Sequence, residues 1–309
     1  MTILTVTPNA AIDRTLVVAN FQPNGVFRET QRDIRAGGKG INVARATMSL
    51  GKQAECCGFL AGWTGKYIAE LAQRDHLSGH WTWIEGESRS CTIIIDSANR
   101  DNTVINERGT PVTSQDWERL SEEVLQHVNG KTVCFSGSLP PGTPMETYKA
   151  LVRKSTEYAD NVWVDASGEV LAAAITVKNV KAKVNHHEIG AIIGRTIPGP
   201  SYLSTAISSL RELGLQELVI TFGSRGAAIV TQDEVWYAAP PKLEAISAVG
   251  SGDSFFAGLV VGEAAAIPLP DQLRIATAAG AANTLTLGAG FFTMADYENI
   301  LAQVQVELL

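Results

Sequence analysis

The sequence predicts a single α/β domain spanning residues 1–309, with a mostly parallel sheet, helices on both faces and a small β-sheet lid. Three observations lead to this prediction. Short, continuously apolar runs alternate with amphipathic segments, which is typical of a parallel sheet covered on both faces. Two β-rich stretches interrupt the alternation. The sequence contains no repeat or linker that would divide it into two domains.

The main sheet is predicted from short buried runs, and the helices from apolar residues at helical spacing. The predicted strands are Ile3–Thr7, Val133–Ser136, Asn161–Asp165, Lys181–Asn185 and Leu218–Phe222. The predicted helices lie near residues 40–51, 64–76, 114–128, 145–159, 201–213, 252–265, 271–286 and 294–306.

The lid is predicted from two insertions at about residues 14–35 and 81–110. Their side chains alternate between apolar and polar, which is typical of antiparallel strands exposed on one face. Ligands of open parallel sheets bind beyond the carboxyl ends of the strands. We therefore expect a binding site at that edge, with the lid over it.

The composition argues against several classes of partner. The chain has 25 Lys and Arg against 32 Asp and Glu, a net charge of −7, so we expect no nucleic-acid partner. Residues 275–295 carry no charge but are rich in small and polar residues, which favours a packed helix and loop over a membrane span. The N-terminus has no signal-peptide pattern, and the cysteines show no CxxC spacing. We therefore expect a cytoplasmic protein with reduced thiols at Cys56, Cys57, Cys91 and Cys134.

A glycine-rich run opens the first predicted helix. Gly37, Gly38 and Gly40 surround Lys39, and Asn42 follows inside the helix. Glycines let the backbone approach a ligand closely, while Lys39 and Asn42 supply donors for an oxygen-rich molecule. A plain loop with a solvated lysine is an equal alternative, because short glycine-rich runs are weak signals.

A second glycine-rich turn opens the helix predicted over 252–265. The free N–H groups of Gly250, Ser251 and Gly252 are suited to hold negative charge on a phosphoryl group. Asp253 is suited to accept a proton from an attacking hydroxyl. The alternative is that Asp253 only caps the helix, a common use of aspartate.

Asn185 and Glu188 follow another predicted strand and offer the oxygen ligands that Mg²⁺ prefers. His186 and His187 lie between them, but adjacent side chains are expected to face apart, and no Cys/His spacing typical of zinc occurs elsewhere. We therefore predict no histidine metal site. Complete Walker A, dinucleotide-binding and nucleophile-elbow motifs are also missing from the sequence.

In this order, the motifs resemble those of the PfkB family of ribokinase-like carbohydrate kinases over essentially the whole chain. The run 37–40 with Asn42 is similar to the family's N-terminal signature, 250–253 to its C-terminal signature, and Asn185-x-x-Glu188 to its Asn-x-x-Glu motif. The resemblance implies that the N–H groups at 250–252 form an anion hole and that Asp253 is the catalytic base. It also implies that Asn185 and Glu188 bind Mg²⁺ and phosphate.

Finer features resemble the branch that acts on phosphorylated ketohexoses, 1-phosphofructokinase and tagatose-6-phosphate kinase. Segments 136–142 and 164–168 are similar to that branch, as is 8–13, although Pro8 and Asn9 reverse the family order. Cys91 is closer to the tagatose version. Val26 stands where the minor 6-phosphofructokinase type has a lysine.

The resemblance implies an ATP- and Mg²⁺-dependent kinase of fructose 1-phosphate or tagatose 6-phosphate that forms a ketohexose 1,6-bisphosphate and dimerises through the lid. Two alternatives stay open. One is a kinase of the same fold for fructose 6-phosphate, a free sugar or a nucleoside, and the other is a non-catalytic sugar-phosphate-binding protein. The implied substrate residues are Asp13, Gly37, Gly38, Lys39, Asn42, Arg89, Arg28 and Ser138, and the implied nucleotide residues are Asn185, Thr221, Gly223, Gly226, Ala279 and Asn283.

Overall fold

The computed structural model describes residues 2–99 and 101–309. Within these residues, the strands are β1 (Thr2–Thr7), β2 (Ala11–Val18), β3 (Gln31–Gly37), β4 (Gln53–Ala61), β5 (Ser78–Ile84), β6 (Arg89–Asp96), β7 (Asp101–Asn106), β8 (Thr132–Ser136), β9 (Asn161–Asp165), β10 (Val180–Asn185), β11 (Leu218–Thr221), β12 (Ala227–Val230), β13 (Val235–Ala239) and β14 (Gln305–Leu308). The helices are α1 (Lys39–Ser49), α2 (Gly62–Arg74), α3 (Ser114–His127), α4 (Met145–Ser155), α5 (Gly168–Ala174), α6 (His186–Ile193), α7 (Leu203–Glu212), α8 (Ser251–Ala264), α9 (Leu269–Asn283) and α10 (Met294–Leu301).

The main sheet has the strand order β14-β13-β12-β11-β10-β9-β8-β1-β4-β5. From β5 to β11 neighbouring strands pair in parallel, and β12, β13 and β14 add an antiparallel edge. The predicted α/β class with a mostly parallel sheet is confirmed. Its carboxyl ends carry the turns that follow β1, β8, β9, β10 and β11.

Helices bury both faces of the sheet. Alternate residues of β1 point to opposite sides, so Leu4 belongs to a core with Trp117 of α3, while Ile3 belongs to a core with Phe256 of α8. Both faces of β1 are therefore buried, which explains why apolar Ile3 and Leu4 are adjacent in its sequence.

The smaller sheet, the lid, has the order β3-β2-β6-β7. Its inner face carries Val17, Ile93 and Ile95, which pack with Val249 and Leu287 of the main body. Two pairings are antiparallel, as expected, but β2 and β6 pair in parallel, because the chain passes through α1, β4, α2 and β5 between them.

Two predicted boundaries need correction. Residues 81–84 belong to β5 of the main sheet instead of the lid, and their alternation is that of a strand at the sheet edge. The helix predicted over 294–306 ends at Leu301, and Gln305–Leu308 pairs with β13 as a strand. Val304 continues the helical spacing of Ile300 and Leu301, but the free edge of β13 provides a hydrogen-bonding partner that periodicity does not reveal.

Two composition-based predictions are confirmed in the described residues. All four cysteines are buried free thiols. No helix there combines the length and apolar character that crossing a membrane requires. The uncharged stretch from residue 275 forms most of α9, which packs against α8 through small residues such as Ala276 and Gly258.

Candidate active site

A cavity of about 580 Å³ lies between the lid and the carboxyl ends of the main sheet. Its volume is in the range typical of small-molecule sites. Among its lining residues are most of the predicted substrate residues: Asp13, Gly38, Lys39, Asn42, Arg89 and Ser138. Two further hydroxyls, of Thr7 and Ser136, line it as well and have no hydrogen-bond partner among the described residues. The cavity therefore presents cations and free polar groups together.

The glycine-rich run brings the start of α1 against the lid and β1. Gly38, the residue before the helix, has φ of +100°, which a side chain rarely adopts. A Cβ on Gly37 would overlap the carboxyl group of Asp13, and a Cβ on Gly40 would overlap Thr7. Close approach of these backbones places Lys39, the first residue of α1, at the mouth of the cavity.

Lys39 and Lys183 share one buried carboxylate. Lys39 Nζ lies 2.8 Å from Asp165 Oδ1, and Lys183 Nζ lies 3.0 Å from Asp165 Oδ2. Burial by itself would lower the pKa of Lys39, but the negative charges of Asp165 and Asp253 outweigh it and raise that pKa. Lys39 is thus held as a cation at the cavity, where it keeps 39% of its side chain exposed.

Asp253 lies in the first turn of α8, behind the second glycine-rich turn. Gly250 caps that helix with φ of +78°, and a Cβ there would overlap Ala289. Asp253 is 8% exposed, and its Oδ2 accepts a hydrogen bond of 2.9 Å from Asn42 Nδ2. Burial raises the pKa of Asp253 to about 6, although Lys39 and Lys183 act to lower it. A carboxylate with this pKa is suited to general-base chemistry near neutral pH.

The expected alternative, in which Asp253 serves only as the helix cap, does not describe this turn. Gly250 occupies the cap position, and no side chain caps the helix. The side chain of Asp253 is bonded instead to Asn42 of α1. Capping of α8 therefore does not explain the position of the Asp253 side chain.

Arg89 extends from the first residue of β6 into the cavity, held by backbone carbonyls. Its Nε donates to Asn9 O at 3.0 Å, and its Nη1 donates to Glu107 O at 3.2 Å and to Cys91 Sγ at 3.3 Å. Ser138, on the opposite wall, accepts a hydrogen bond of 3.1 Å from Asn9 Nδ2. Asp13 is on the lid wall, where burial raises its pKa against the lowering effect of Arg45 and Arg89.

Arg28 does not lie with the other predicted substrate residues. It is exposed in the loop between β2 and β3, and it does not line the cavity that Lys39 and Arg89 share. That loop lies beyond the far ends of the lid strands, whereas the cavity lies where β2 begins. Arg28 was assigned from its place in the family pattern, two residues after Val26, and that pattern does not show how far the loop lies from the cavity.

Asn185 and Glu188 form a capping box at the start of α6. Asn185 Oδ1 accepts from the N–H groups of His187 and Glu188, and Glu188 Oε2 accepts from the N–H of Asn185 at 2.8 Å. One carboxylate oxygen of Glu188 remains without a hydrogen bond among the described residues, and Glu188 is close enough to contribute to the raised pKa of Lys39.

The neighbouring histidines depart from expectation in one respect. The rings of His186 and His187 do not face apart but lie 3.9 Å from each other. His186 Nδ1 contacts Thr221 O at 3.3 Å, and its Nε2 lies 3.4 Å from the Arg225 guanidinium. Both ring nitrogens of His186 therefore face protein groups.

The residues implied for the nucleotide lie around β11 and α9. Thr221 ends β11, and Gly223 and Gly226 have φ of +62° and +96° in the turn that follows. Asn283 differs from expectation, because it is fully buried. Its side chain bonds Val249 O, Ser254 Oγ and Gly290 N, so it connects the loop before α8 to the loop after α9. Ala279 is likewise fully buried.

Sequence reasoning missed two buried cations of this site. Lys183 lies in β10, and its Nζ would be 3.3 Å from a Cβ on Gly252. Arg45 donates from Nη1 to Asn42 Oδ1 at 3.0 Å and from Nε to Asp75 at 2.6 Å, and so orients the amide that holds Asp253. A lysine between apolar Ala182 and Val184 in a predicted buried strand was the available signal.

A parallel α/β sheet whose carboxyl edge presents two glycine-rich helix starts, several cations and a buried carboxylate defines a class of phosphoryl-transfer enzymes that bind anions largely through backbone N–H groups. Comparison with known families gives the same answer: residues 1–295 match the family described as pfkB family carbohydrate kinase, and the chain belongs to it. The chain is thus a phosphotransferase with an alcohol acceptor, and ATP and Mg²⁺ are typical of its family.

Individual proteins resemble the chain over most or all of its length. It is 29% identical to a 1-phosphofructokinase of Bacillus subtilis, covering 99% of this chain and 100% of that protein. It is 31% identical to a 1-phosphofructokinase of Xanthomonas campestris, covering 83% and 82%. The structure of phosphofructokinase-2 from Escherichia coli in complex with substrates and products matches with a TM-score of 0.92 at 27% identity, covering 98% and 99%. The chain is therefore a sugar-phosphate kinase by relationship.

Proposed function

We propose that this kinase transfers the γ-phosphoryl group of ATP to the free primary hydroxyl of fructose 1-phosphate. Asp253 carries the proposal, because it combines burial, a pKa raised to about 6 and a position beside the cation-lined cavity. The names of the curated relatives support fructose 1-phosphate. The cations Lys39 and Arg89 support a substrate that already carries a phosphate.

In this proposal Asp253 accepts the hydroxyl proton while the hydroxyl oxygen attacks the γ-phosphorus in line. The hydrogen bond from Asn42 fixes the orientation of the carboxylate. Negative charge on the transferred group is stabilised by the N–H groups of Gly250 and Gly252 and by the ammonium of Lys183 next to them. These donors are preorganised, so the protein does not have to rearrange as charge develops. The N–H of Ser251, also expected to take part, donates instead to Ala248 O at 3.2 Å.

The residues at the start of α6 fit a hydrated Mg²⁺ ion in part. Glu188 has a free carboxylate oxygen and would hold the ion, directly or through water, as Mg²⁺ sites with few protein ligands commonly do. The side-chain oxygen of Asn185 already accepts hydrogen bonds from two helix N–H groups, so the role of Asn185 is to position Glu188. When bound, Mg²⁺ supplies charge neutralisation on the nucleotide phosphates.

The sugar phosphate is recognised at the lid side of the cavity. Arg89 and Lys39 bind the substrate phosphate, because both are cations that line the same cavity and Lys39 is partly exposed there. Asp13, Asn42 and Ser138 bind sugar hydroxyls in this proposal. The lid over the sugar excludes water, which would otherwise compete as the phosphoryl acceptor.

The nucleotide is placed along β11 in this proposal. The turn with Gly223 and Gly226 offers backbone close to the carboxyl edge, and Thr221 ends the strand there. Ala279 and Asn283 are fully buried and support the neighbouring loops instead of touching the nucleotide.

We further propose that the enzyme acts as a homodimer through the outer face of the lid, in the cytoplasm. Leu16 and Ile94 are neighbours on that face, and Ile105 beside them is 58% exposed. A contiguous exposed apolar surface on a small sheet is typical of an association surface. The four buried free thiols favour a reducing compartment.

A substrate panel tests the proposed reaction. Purified enzyme with Mg²⁺ and ATP is given fructose 1-phosphate, tagatose 6-phosphate, fructose 6-phosphate, fructose and a nucleoside, and ADP formation is measured for each. We expect the highest kcat/KM for fructose 1-phosphate. A higher kcat/KM for tagatose 6-phosphate or fructose 6-phosphate would reassign the substrate. Preference for an unphosphorylated acceptor would contradict the phosphate-binding role of Arg89. No turnover with any acceptor would contradict the reaction itself.

A further inference from the structure

A cluster of two histidines and two glutamates lies at the opposite edge of the main sheet from the cavity. Glu55 is near the amino end of β4, His80 is near the amino end of β5, and His127 is the last residue of α3. In the parallel register His80 faces Cys57, two residues after Glu55, so both side chains project from the same face of the sheet, toward α3. Glu123 lies one helical turn before His127.

The two imidazole rings are stacked, with centroids 3.6 Å apart and an interplanar angle of 23°. The stack places one nitrogen of each ring on the same edge, so that two imidazole nitrogens lie side by side there. On one edge of the stack, His80 Nε2 lies 3.0 Å and His127 Nδ1 lies 3.9 Å from Glu55 Oε2. Three donor atoms thus converge on one point.

Glu123 occupies the other edge of the stack. Its Oε1 lies 3.2 Å from His127 Nε2 and 3.9 Å from His80 Nδ1. Without an ion, His80 Nε2 is hydrogen-bonded to Glu55. With an ion bound, an N–H of each ring directed at Glu123 would leave the lone pairs of His80 Nε2 and His127 Nδ1 for the metal. A carboxylate behind metal-binding histidines, fixing their tautomer and orientation, is the common outer shell of such sites.

We propose that Glu55, His80 and His127 form a binding site for a divalent transition-metal cation of the Zn²⁺ class. The donor atoms all lie within 4.8 Å of one another. Metal–ligand distances of about 2 Å in a tetrahedral site require donors roughly 3.3 Å apart, so the separations need only a small contraction. Imidazole binds a metal in its ring plane, so the two rings must also rotate out of their stack to close around the ion. Two imidazole nitrogens and one carboxylate oxygen are a known zinc donor set, with a fourth position left for water.

The ammonium group of Lys131 competes with a metal ion for Glu55. It lies 2.8 Å from Glu55 Oε2 and occupies the place of a cation beside that carboxylate. Hydrogen bonds from Lys131 and His80 hold the pKa of Glu55 below its usual value, against the raising effect of its partial burial. A bound metal must displace this ammonium group. Removing Lys131 is therefore expected to strengthen metal binding, whereas in a cluster held only by ion pairs it would merely weaken the structure.

The site differs from the catalytic region in location and in chemistry. It joins β4, the edge strand β5 and α3 at the amino ends of the strands, and its side chains keep 21% to 26% of their surface exposed. Solvent therefore reaches it. Because a ligand that binds only the native state stabilises that state, the ion is expected to raise the melting temperature.

Calorimetric titration of tag-free, chelator-treated protein with ZnCl₂ tests the site, with Co²⁺ absorption as a second probe. We expect one ion per chain and cobalt d–d bands typical of nitrogen and oxygen ligands at a four-coordinate centre. His80→Gln and His127→Gln should each weaken binding by at least about tenfold, since loss of an outer partner alone costs that much. Lys131→Met should tighten it.

His76→Asn is the matched control, because His76 is exposed, lies near the cluster in sequence and has φ of +60°, which asparagine tolerates. It should bind zinc like the parent protein. Three results would each overturn the proposal. They are the absence of micromolar binding in the parent protein, Gln variants that both bind zinc as tightly as the parent protein, and weaker binding in Lys131→Met. A thiolate-to-cobalt charge-transfer band would do so too, by assigning the ion to a cysteine.

Discussion

At the scale of single residues, the carboxyl group of Asp253 lies in a buried environment that disfavours its ionised form. It is nearly fully buried, and its pKa is raised from 3.8 to about 6 mainly by that burial. The folded protein therefore binds the Asp253 proton more tightly than the unfolded chain does. Stability from this group is lost as the pH rises from about 4 to about 6.

The first prediction is that Asp253→Asn melts at the same or a higher temperature than the parent enzyme at neutral pH. The substitution removes a buried charge while keeping the shape of the side chain. The difference should narrow as the pH falls from 6 toward 3.8. Asp271→Asn, an exposed aspartate in the first turn of α9, is the control and should lose a little stability. A clearly lower melting temperature for Asp253→Asn at neutral pH would show that its charge stabilises the fold.

The second prediction concerns pH and rate. If Asp253 must be ionised to accept the proton, kcat should fall as the pH drops through about 6 and level off above it. Saturating sugar phosphate is used, because the second ionisation of a phosphate monoester falls in the same range and would distort KM. A kcat that stays constant through pH 6 would exclude this carboxylate as the base.

The third prediction is that Arg89→Ala raises the KM for the sugar phosphate by roughly tenfold to a hundredfold, since hydrogen bonds to charged groups contribute about 1.5–3 kcal/mol. The KM for ATP should change little, and Arg89→Lys should recover part of the loss. Arg153→Ala, on the exposed side of α4, is the control. Equal effects on both substrates would indicate that Arg89 supports the fold through Asn9 O instead.

At the scale of elements, the site depends on two helices that begin in tight glycine turns. Gly38 and Gly250 both have positive φ, and both bring backbone against a neighbouring segment. In our proposal the N–H groups at the start of α8 are aimed at the transferred group, and the contact of Gly250 with Ala289 fixes their direction. The proposal therefore links local backbone conformation to the stabilisation of transferred charge.

The fourth prediction separates the strain in that turn from its packing. Gly250→Ala must adopt a left-handed backbone, at a cost of about 1–2 kcal/mol, and must also displace Ala289. We expect kcat to fall by about a hundredfold, because small displacements of positioned groups have effects of that size. Gly214→Ala, with φ of +69° and open space around it, is the matched control for strain. Similar kcat losses in the two variants would show that the packing against Ala289 is irrelevant to catalysis.

The sequence predicted the elements that local patterns define. The glycine turns before α1 and α8, the buried strands and the residues directly after them required only neighbours in the chain. The ion pairs of Asp165 with Lys39 and Lys183 join three separate segments, and no spacing rule connects them. The His80–His127 stack is hidden in the same way, because parallel strands and a crossover helix bring distant residues together. Strand β14 was missed because its pairing partner, β13, lies far away in the sequence.

At the scale of the whole molecule, the lid has two faces with different tasks. The inner face covers the cavity, and the outer face leaves Leu16, Ile94 and Ile105 without a covering element among the described residues. The same small sheet thus connects substrate enclosure to assembly in our proposal. A net charge of −7 is compatible with anionic substrates, because backbone N–H groups and a few cations create a local positive field.

The fifth prediction is that Ile105→Lys converts the enzyme from dimer to monomer. A buried lysine on each side of the proposed interface would be desolvated without a partner. Light scattering coupled to gel filtration measures the mass directly, and Tyr158→Lys, at another exposed apolar position, is the control. A monomeric parent enzyme, or a dimer that survives Ile105→Lys, would contradict assembly through the lid.

The most direct test of the central claim is the turnover of Asp253→Asn with fructose 1-phosphate, Mg²⁺ and ATP, measured together with ATP binding. Loss of the general base predicts that kcat falls by roughly three orders of magnitude, while ATP binds as before and the protein stays folded. Turnover close to that of the parent enzyme would contradict the assignment of Asp253 as the residue that accepts the hydroxyl proton.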